Sequence, residues 1–447
     1  MRIRGLLVAA LVLAALSGVL YWSNHRKPEG SAKPAADAPP KILSLNEADI
    51  ISVAIRKKGQ PAVVLTKSGG TWRLSAPVSL EADASAVSGV IGTVSSVSSE
   101  RLVDDKPSDL GQYGLADPPL EVEISAKDKT QKLLLGEATV NGSANYAALA
   151  GDPRVFTIAT YIKSALDKTA SDLRDARLLT LDFDKVSEVE LSNKKSGKAQ
   201  DITFARDKDS WQILKPKPIR ADASQVNGLV QSLRDARLDR TSADDQTKNA
   251  SLFSAGTPYA AVKIAAASGT QELQVRKNKD DYYVNSSILE GRYKIPSGTA
   301  TALDKSLEDF RNKKLFDFGF NEPERIEIHD GSKAYYLTHS GSDWWDADGK
   351  KLDSTTVEPL LEKLRDLASV KFPDSGFAAP GIEITVMSNG GKLTEKVAIA
   401  KAGVNYLAKR EGDSGLYELG AVAVDGMLKT ASEVKAEPPV AAANKKK

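Results

Sequence analysis

Cysteine is absent from the 447 residues, which excludes a disulfide framework, thiolate zinc sites, a cysteine nucleophile and a lipid-modified N-terminal cysteine. Histidine is nearly so, with His25, His329 and His339 alone, and no helical pattern sets two of them a turn apart. No metal or cofactor site is expected on that basis. Charge of one sign is also missing: 61 Lys and Arg stand against 59 Asp and Glu, a formal +2. A well-mixed balance provides no long-range field for a nucleic-acid backbone, so no nucleic-acid partner is expected. There is no glycine-rich phosphate loop either. Gly69-Gly70 and Gly390-Gly391 lack the lysine and following helix such a loop needs, and read as hairpin turns.

One long apolar run is present. Gly5 to Trp22 are 18 consecutive residues without a charge. As a helix they span about 27 Å, close to the hydrocarbon thickness of a bilayer. Arg2 and Arg4 precede the run, His25, Arg26 and Lys27 follow it, and Tyr21 and Trp22 stand where interfacial aromatics would. Cleavage after Ala15-Leu16-Ser17 would make it a signal peptide, but the run continues through Val19-Leu20-Tyr21-Trp22, which favours an uncleaved signal anchor over residues 1–27. The expected location is the inner (cytoplasmic) membrane, crossed once, with the large C-terminal region extracytoplasmic, periplasmic where there are two membranes. Residues 28–46, with Pro28, Pro34, Pro39 and Pro40 among Ala, Gly and Ser, read as a tether, and 435–447 as a disordered tail.

Between them the chain repeats itself. Trp72 and Trp211 are each followed eleven residues later by an aspartate, Asp83 and Asp222; Trp344 is followed nine residues later by Asp353. Beyond each aspartate, apolar residues fall at offsets 4, 7, 8 and 11: Val87, Val90, Ile91, Val94; Val226, Leu229, Val230, Leu233; Val357, Leu360, Leu361, Leu364. That spacing is one face of a helix, with the aspartate as its N-cap. Pro118, Pro258 and Pro380 then precede alternating strands, for example Leu120-Val122-Ile124. Further strands and a second helix follow, and Leu173-Arg174-Asp175 and Phe310-Arg311-Asn312 close the first two copies. The expected fold is α+β: three tandem copies of a mainly antiparallel sheet unit with two helices each, after one N-terminal transmembrane helix. The expected copies are 47–183, 184–320 and a shortened 321–434. The shortening lies between first helix and proline, where 27 residues separate Asp353 from Pro380 against 35 and 36 in the earlier copies.

Leu110-Gly111-Gln112-Tyr113-Gly114-Leu115, the following Pro118, the Trp-then-Asp-capped helix and the Leu173-Arg174-Asp175 close resemble the domain-of-unknown-function family DUF4340, over Leu45 to Val434. The resemblance implies a bacterial membrane-anchored protein, often encoded beside ABC transporters of the gliding-motility type. It supplies no catalytic residues. The second copy has Leu252-Phe253-Ser254 in place of Tyr113-Gly114-Leu115, and the third only Gly376-Phe377.

No catalytic set emerges. Gly412-Asp413-Ser414-Gly415 resembles the nucleophile segment of chymotrypsin-like proteases, yet it aligns with the polar turns Gly151-Asp152-Pro153-Arg154 and Glu290-Gly291-Arg292, and no base is identifiable. Asp104-Asp105, Asp244-Asp245 and Asp280-Asp281 lie in polar connections and read as solvated turns. His329 has the parity opposite to Ile326 and Ile328 and reads as solvent-facing. The expectation is a non-enzymatic accessory or scaffolding protein of the cell envelope, partnered with the membrane and an envelope protein, ABC transporter subunits being the candidates. The alternative is a binding module for a cell-surface polymer, with Trp72, Trp211 and Trp344 as stacking platforms. A hydrolase with its site between copies ranks third.

Overall fold

The computed structural model describes residues 40–438 except 128, 196, 209, 243 and 244. The anchor expected over residues 1–27, most of the tether and the end of the tail lie outside them. Among the described residues, no helix is long and apolar enough to cross a membrane. The chain divides into two compact units after Asp175.

The first unit holds one copy, built on a nine-stranded sheet. In sheet order the strands are Leu80–Glu81, Thr71–Ala76, Val63–Ser68, Ile50–Lys57, Leu120–Ala126, Lys129–Ala138, Ala144–Leu149, Val155–Ala159 and Arg101–Asp104. All neighbours are antiparallel. Four strands meander from the centre to one edge, the chain returns through helix Ala84–Ser95, and four more meander the other way to Val155–Ala159, on which Arg101–Asp104 pairs as the far edge. The second unit contains two further sheets with the same order, eight strands each, centred on Val186–Lys195 beside Thr257–Ala266 and on Arg325–Asp330 beside Ile382–Ser388. The α+β, mainly antiparallel repeat is therefore present three times.

Alternation explains the layers. In Leu120–Ala126, residues 120, 122 and 124 are buried and their neighbours less so, as expected for a sheet with helices on one face. The helices Ala84–Ser95, Ala223–Arg234 and Ser354–Asp366 lay their predicted faces on those strands. Of the twelve expected positions all are buried except Val230, which packs against the core from its margin. The second helix is continuous only in the third copy, Ala421–Glu433. In the others Thr169 and Ser306 form capping boxes with Asp172 and Asp309, each starting a fresh turn and breaking the helix before it.

The copy boundaries shift from those expected. Ala176, Leu178, Leu179, Leu181 and Phe183, assigned above to the first copy, are packed in the core of the second. Leu315, Phe316 and Phe318 likewise belong to the third core. Residues Lys41–Ser44, expected in the tether, form a strand paired with Ser96–Ser98, burying Ile42 and Leu43. Each copy thus opens with a short apolar lead-in that hydrogen-bonds to the backbone at or just past the end of its first helix: Leu45 N–H to Ser95 O, Leu178 N–H to Ala236 O, Leu315 N–H to Leu367 O. Each closes beside its N-cap, where Asp83, Asp222 and Asp353 N–H groups donate to the carbonyls of Leu173, Phe310 and Lys435. The third copy therefore extends to Glu437, whose N–H donates to Lys351 O at 2.8 Å, beyond the expected end at 434.

Candidate functional site

The three tryptophans occupy one structural position, on the core-facing side of the strands Thr71–Ala76, Ser210–Lys215 and Asp343–Trp345, beside the first helix. Each faces a cation-capable partner directly opposite on the neighbouring strand: Lys67 Nζ lies 5.9 Å from the Trp72 ring, Arg206 Cζ 5.9 Å from Trp211, and His339 stacks on Trp344 at 4.8 Å. Trp211 and Trp344 are buried, 4% and 3% exposed, and the Trp211 indole N–H donates to Asn227 Oδ1 at 2.8 Å. Neither offers a free face to a polymer. Trp72 alone is partly open. Asp83 accepts from the N–H groups of Ser85 and Ala86, Asp222 from Ser224 and Gln225, and Asp353 from Thr355. They cap helices and touch no cleft chemistry.

Tyr113 and Gly114 lie on the opposite face of the first sheet. The Tyr113 ring meets Tyr146 edge-on at 5.0 Å and its hydroxyl donates to Asp104 at 3.2 Å; burial, then Asp104, raises its phenol above the ordinary value. Gly114 has φ +68°, and a Cβ there would come within 2.6 Å of Glu137 Cγ. In the second copy the same link forms helix Gln246–Ala255, missed above, which lays Phe253 between Arg276 and Arg292 at 5.5 and 5.2 Å. Asp245, read above as part of a solvated turn, is its N-cap. Pro118 and Pro380 precede their strands, whereas Pro258 is the second residue of Thr257–Ala266, beside a register shift.

The second unit gathers charge where its two copies meet. Arg220, on the edge strand Ile219–Arg220, ion-pairs with Asp317 and donates to Lys314 O at 2.7 Å. Asp317 N–H donates to both Glu395 carboxylate oxygens, at 2.9 and 3.1 Å. Arg410 Nη2 lies 2.8 Å from Glu395 and its Nη1 donates to Leu315 O at 2.8 Å. Glu395 is 1% exposed, and burial raises its carboxyl although Arg410 and the Asp317 N–H pull the other way. Arg311, also buried, places its guanidinium 3.6 Å from the Phe372 ring centroid.

Gly412-Asp413-Ser414-Gly415 sits on this seam. Asp413 accepts from Gly415 N–H at 2.7 Å and from the Tyr417 hydroxyl at 2.5 Å; burial, then Asp413, pushes that phenol up to about 12. Ser414 Oγ donates to Pro218 O of the second copy at 2.7 Å. His329 packs on Tyr336, and His339 on Trp344 with Glu322 2.9 Å away. The protease-like segment is a turn that stitches one copy to the next. A cleft of about 370 Å³ runs beside it, lined in part by Trp211, Arg220, Asn312, Asp317 and Asp413. Its charges are held in ion pairs and backbone hydrogen bonds, an arrangement that clamps backbone rather than moves protons. Among the described residues, no group of three His, Cys, Asp or Glu side chains is placed to hold a metal ion.

A family model described as Domain of unknown function (DUF4340) matches residues 72–217 and again 211–381. The two segments begin at Trp72 and Trp211, so each runs from the tryptophan-bearing strand of one copy into the next. No curated protein matches the chain.

Proposed function

The chain belongs to the DUF4340 family, and on that premise we propose that it is a membrane-anchored, non-enzymatic scaffold of the cell envelope, acting with an ABC-type transport system. The observation that carries the reading is the seam of the second unit. Of the residues that would have to supply chemistry, Arg220 and Ser414 are spent on joining two copies, and Asp317, Glu395 and Arg410 on holding the third copy's lead-in, to which Arg220 binds, against its own sheet. Joining copies gives a stiff presenting surface, which a scaffold needs and a monomeric hydrolase does not. The N-terminal apolar run supports anchorage with the repeats extracytoplasmic. The transporter partner is supported by the family resemblance. Crosslinking the full chain in native membranes should recover transporter subunits or another envelope protein; recovery of neither sinks the reading.

A further inference from the structure

Around its tryptophan the first copy departs from its siblings, and the departure opens a cleft. At the helix position facing the tryptophan, five residues past the cap, the second copy has Asn227 and the third Glu358; the first has Ser88. Twelve residues past the cap the siblings carry Arg234 and Arg365, and the first copy carries Ser95. In the lead-in, the siblings set aromatics against those arginines: Phe183 lies 5.7 Å from Arg234 Cζ, and Phe320 5.4 Å from Arg365 Cζ. The first copy has Glu47 there, whose carboxylate accepts from Ser95 Oγ at 3.2 Å. A glycine, Gly92, fills the intervening helix position, its absent Cβ pointing within 3.8 Å of Glu47 Oε1.

These exchanges leave a cleft of about 650 Å³ between helix Ala84–Ser95 and the strand bearing Trp72, lined in part by Asn46, Glu47, Lys67, Trp72, Ser88 and Ile91. The volume falls within the roughly 300–1,000 Å³ range of small-molecule sites. The helix carries Gly89, Gly92 and several Ser and Val residues, poor formers that would otherwise be a cost without a return. Its lining combines an indole and an isoleucine with one carboxylate, one ammonium, an amide and hydroxyls, so it carries no net charge. A ring that is apolar on its faces and hydroxylated at its edge matches such a lining; a phosphate or an extended acidic peptide does not.

We propose that this cleft in the first copy binds a saccharide, with Trp72 as the stacking face and Glu47, Asn46 and Ser88 reading ring hydroxyls. The proposal is independent of the scaffold reading and stands or falls without a transporter partner. It is tested by calorimetric titration of the full chain with N-acetylglucosamine tetramer and with cellotetraose, alongside Trp72→Ala and a refilled variant, Glu47→Phe/Ser88→Asn/Ser95→Arg, which installs the second copy's residues. Ser88→Asn alone serves if the triple variant folds poorly by circular dichroism. Saturable binding by either probe that weakens about tenfold or more in Trp72→Ala and in the refilled variant is expected. No saturable heat up to about 10 mM probe, or binding unchanged in both variants, overturns it.

Discussion

Asp222 accepts the backbone N–H groups of Ser224 and Gln225 at 2.9 and 3.2 Å, satisfying donors that the first helical turn leaves without partners. Asp222→Ala should therefore cost about 1 kcal/mol, read from the urea midpoint of the full chain. At Asp353 the same geometry has a pH signature. Hydrogen bonds from the Thr355 hydroxyl and then its N–H hold the Asp353 carboxyl below the ordinary carboxylate range. A carboxyl lowered in the folded state gives stability that is present above its unfolded pKa of about 3.9 and lost as pH falls through the lowered value. Asp353→Asn keeps an acceptor but does not titrate, so its melting temperature should decline less steeply than that of the native chain below about pH 4. Parallel slopes would remove the assigned role.

The link after the first helix differs in each copy, and what it covers depends on a few residues. In the first copy it turns at Gly114, φ +68°, and threads so close to Glu137 that a Cβ would meet that residue's backbone N at 3.0 Å. Gly114→Ala should destabilise by about 1–3 kcal/mol and loosen Tyr113 from Tyr146, seen as faster amide exchange in Lys129–Leu149. The first helices were legible in the sequence because one periodicity recurs three times behind a capping aspartate, which outweighs the glycines of Ala84–Ser95. Helix Gln246–Ala255 was not, since Ala250, Leu252 and Phe253 do not line one face and a single aromatic docks it. The lead-ins escaped notice too: Ile42-Leu43, Leu178-Leu179 and Leu315-Phe316 pair over only a few residues, too short for any period to register. The tryptophans' shared position was readable, but not that Asn227 closes one and Ser88 leaves another open, because that depends on what lies across the strand.

The seam between the second and third copies was invisible in the sequence for a different reason. Arg220 lies 97 residues from Asp317, which rests in turn on Glu395 and Arg410 of the third copy's sheet, and only the fold makes them neighbours. Their arrangement predicts how the second unit unfolds. Glu395→Ala leaves Arg410 buried without its carboxylate and Asp317 N–H without its acceptor, and should cost about 3–5 kcal/mol. Because burial raises the Glu395 carboxyl, its contribution has the opposite sign to that of Asp353: it is fully present below the unfolded pKa and is lost as pH rises through the folded value. Glu395→Met/Arg410→Met, which removes both charges while filling similar volume, should recover most of the loss. If the seam joins the copies, hydrogen exchange in the native chain should open the second and third sheets together, and Glu395→Ala should let the third open first. Separate opening of the two sheets in the native chain would show that the seam is an incidental contact, and the stiffness on which a scaffold depends would have to come from elsewhere.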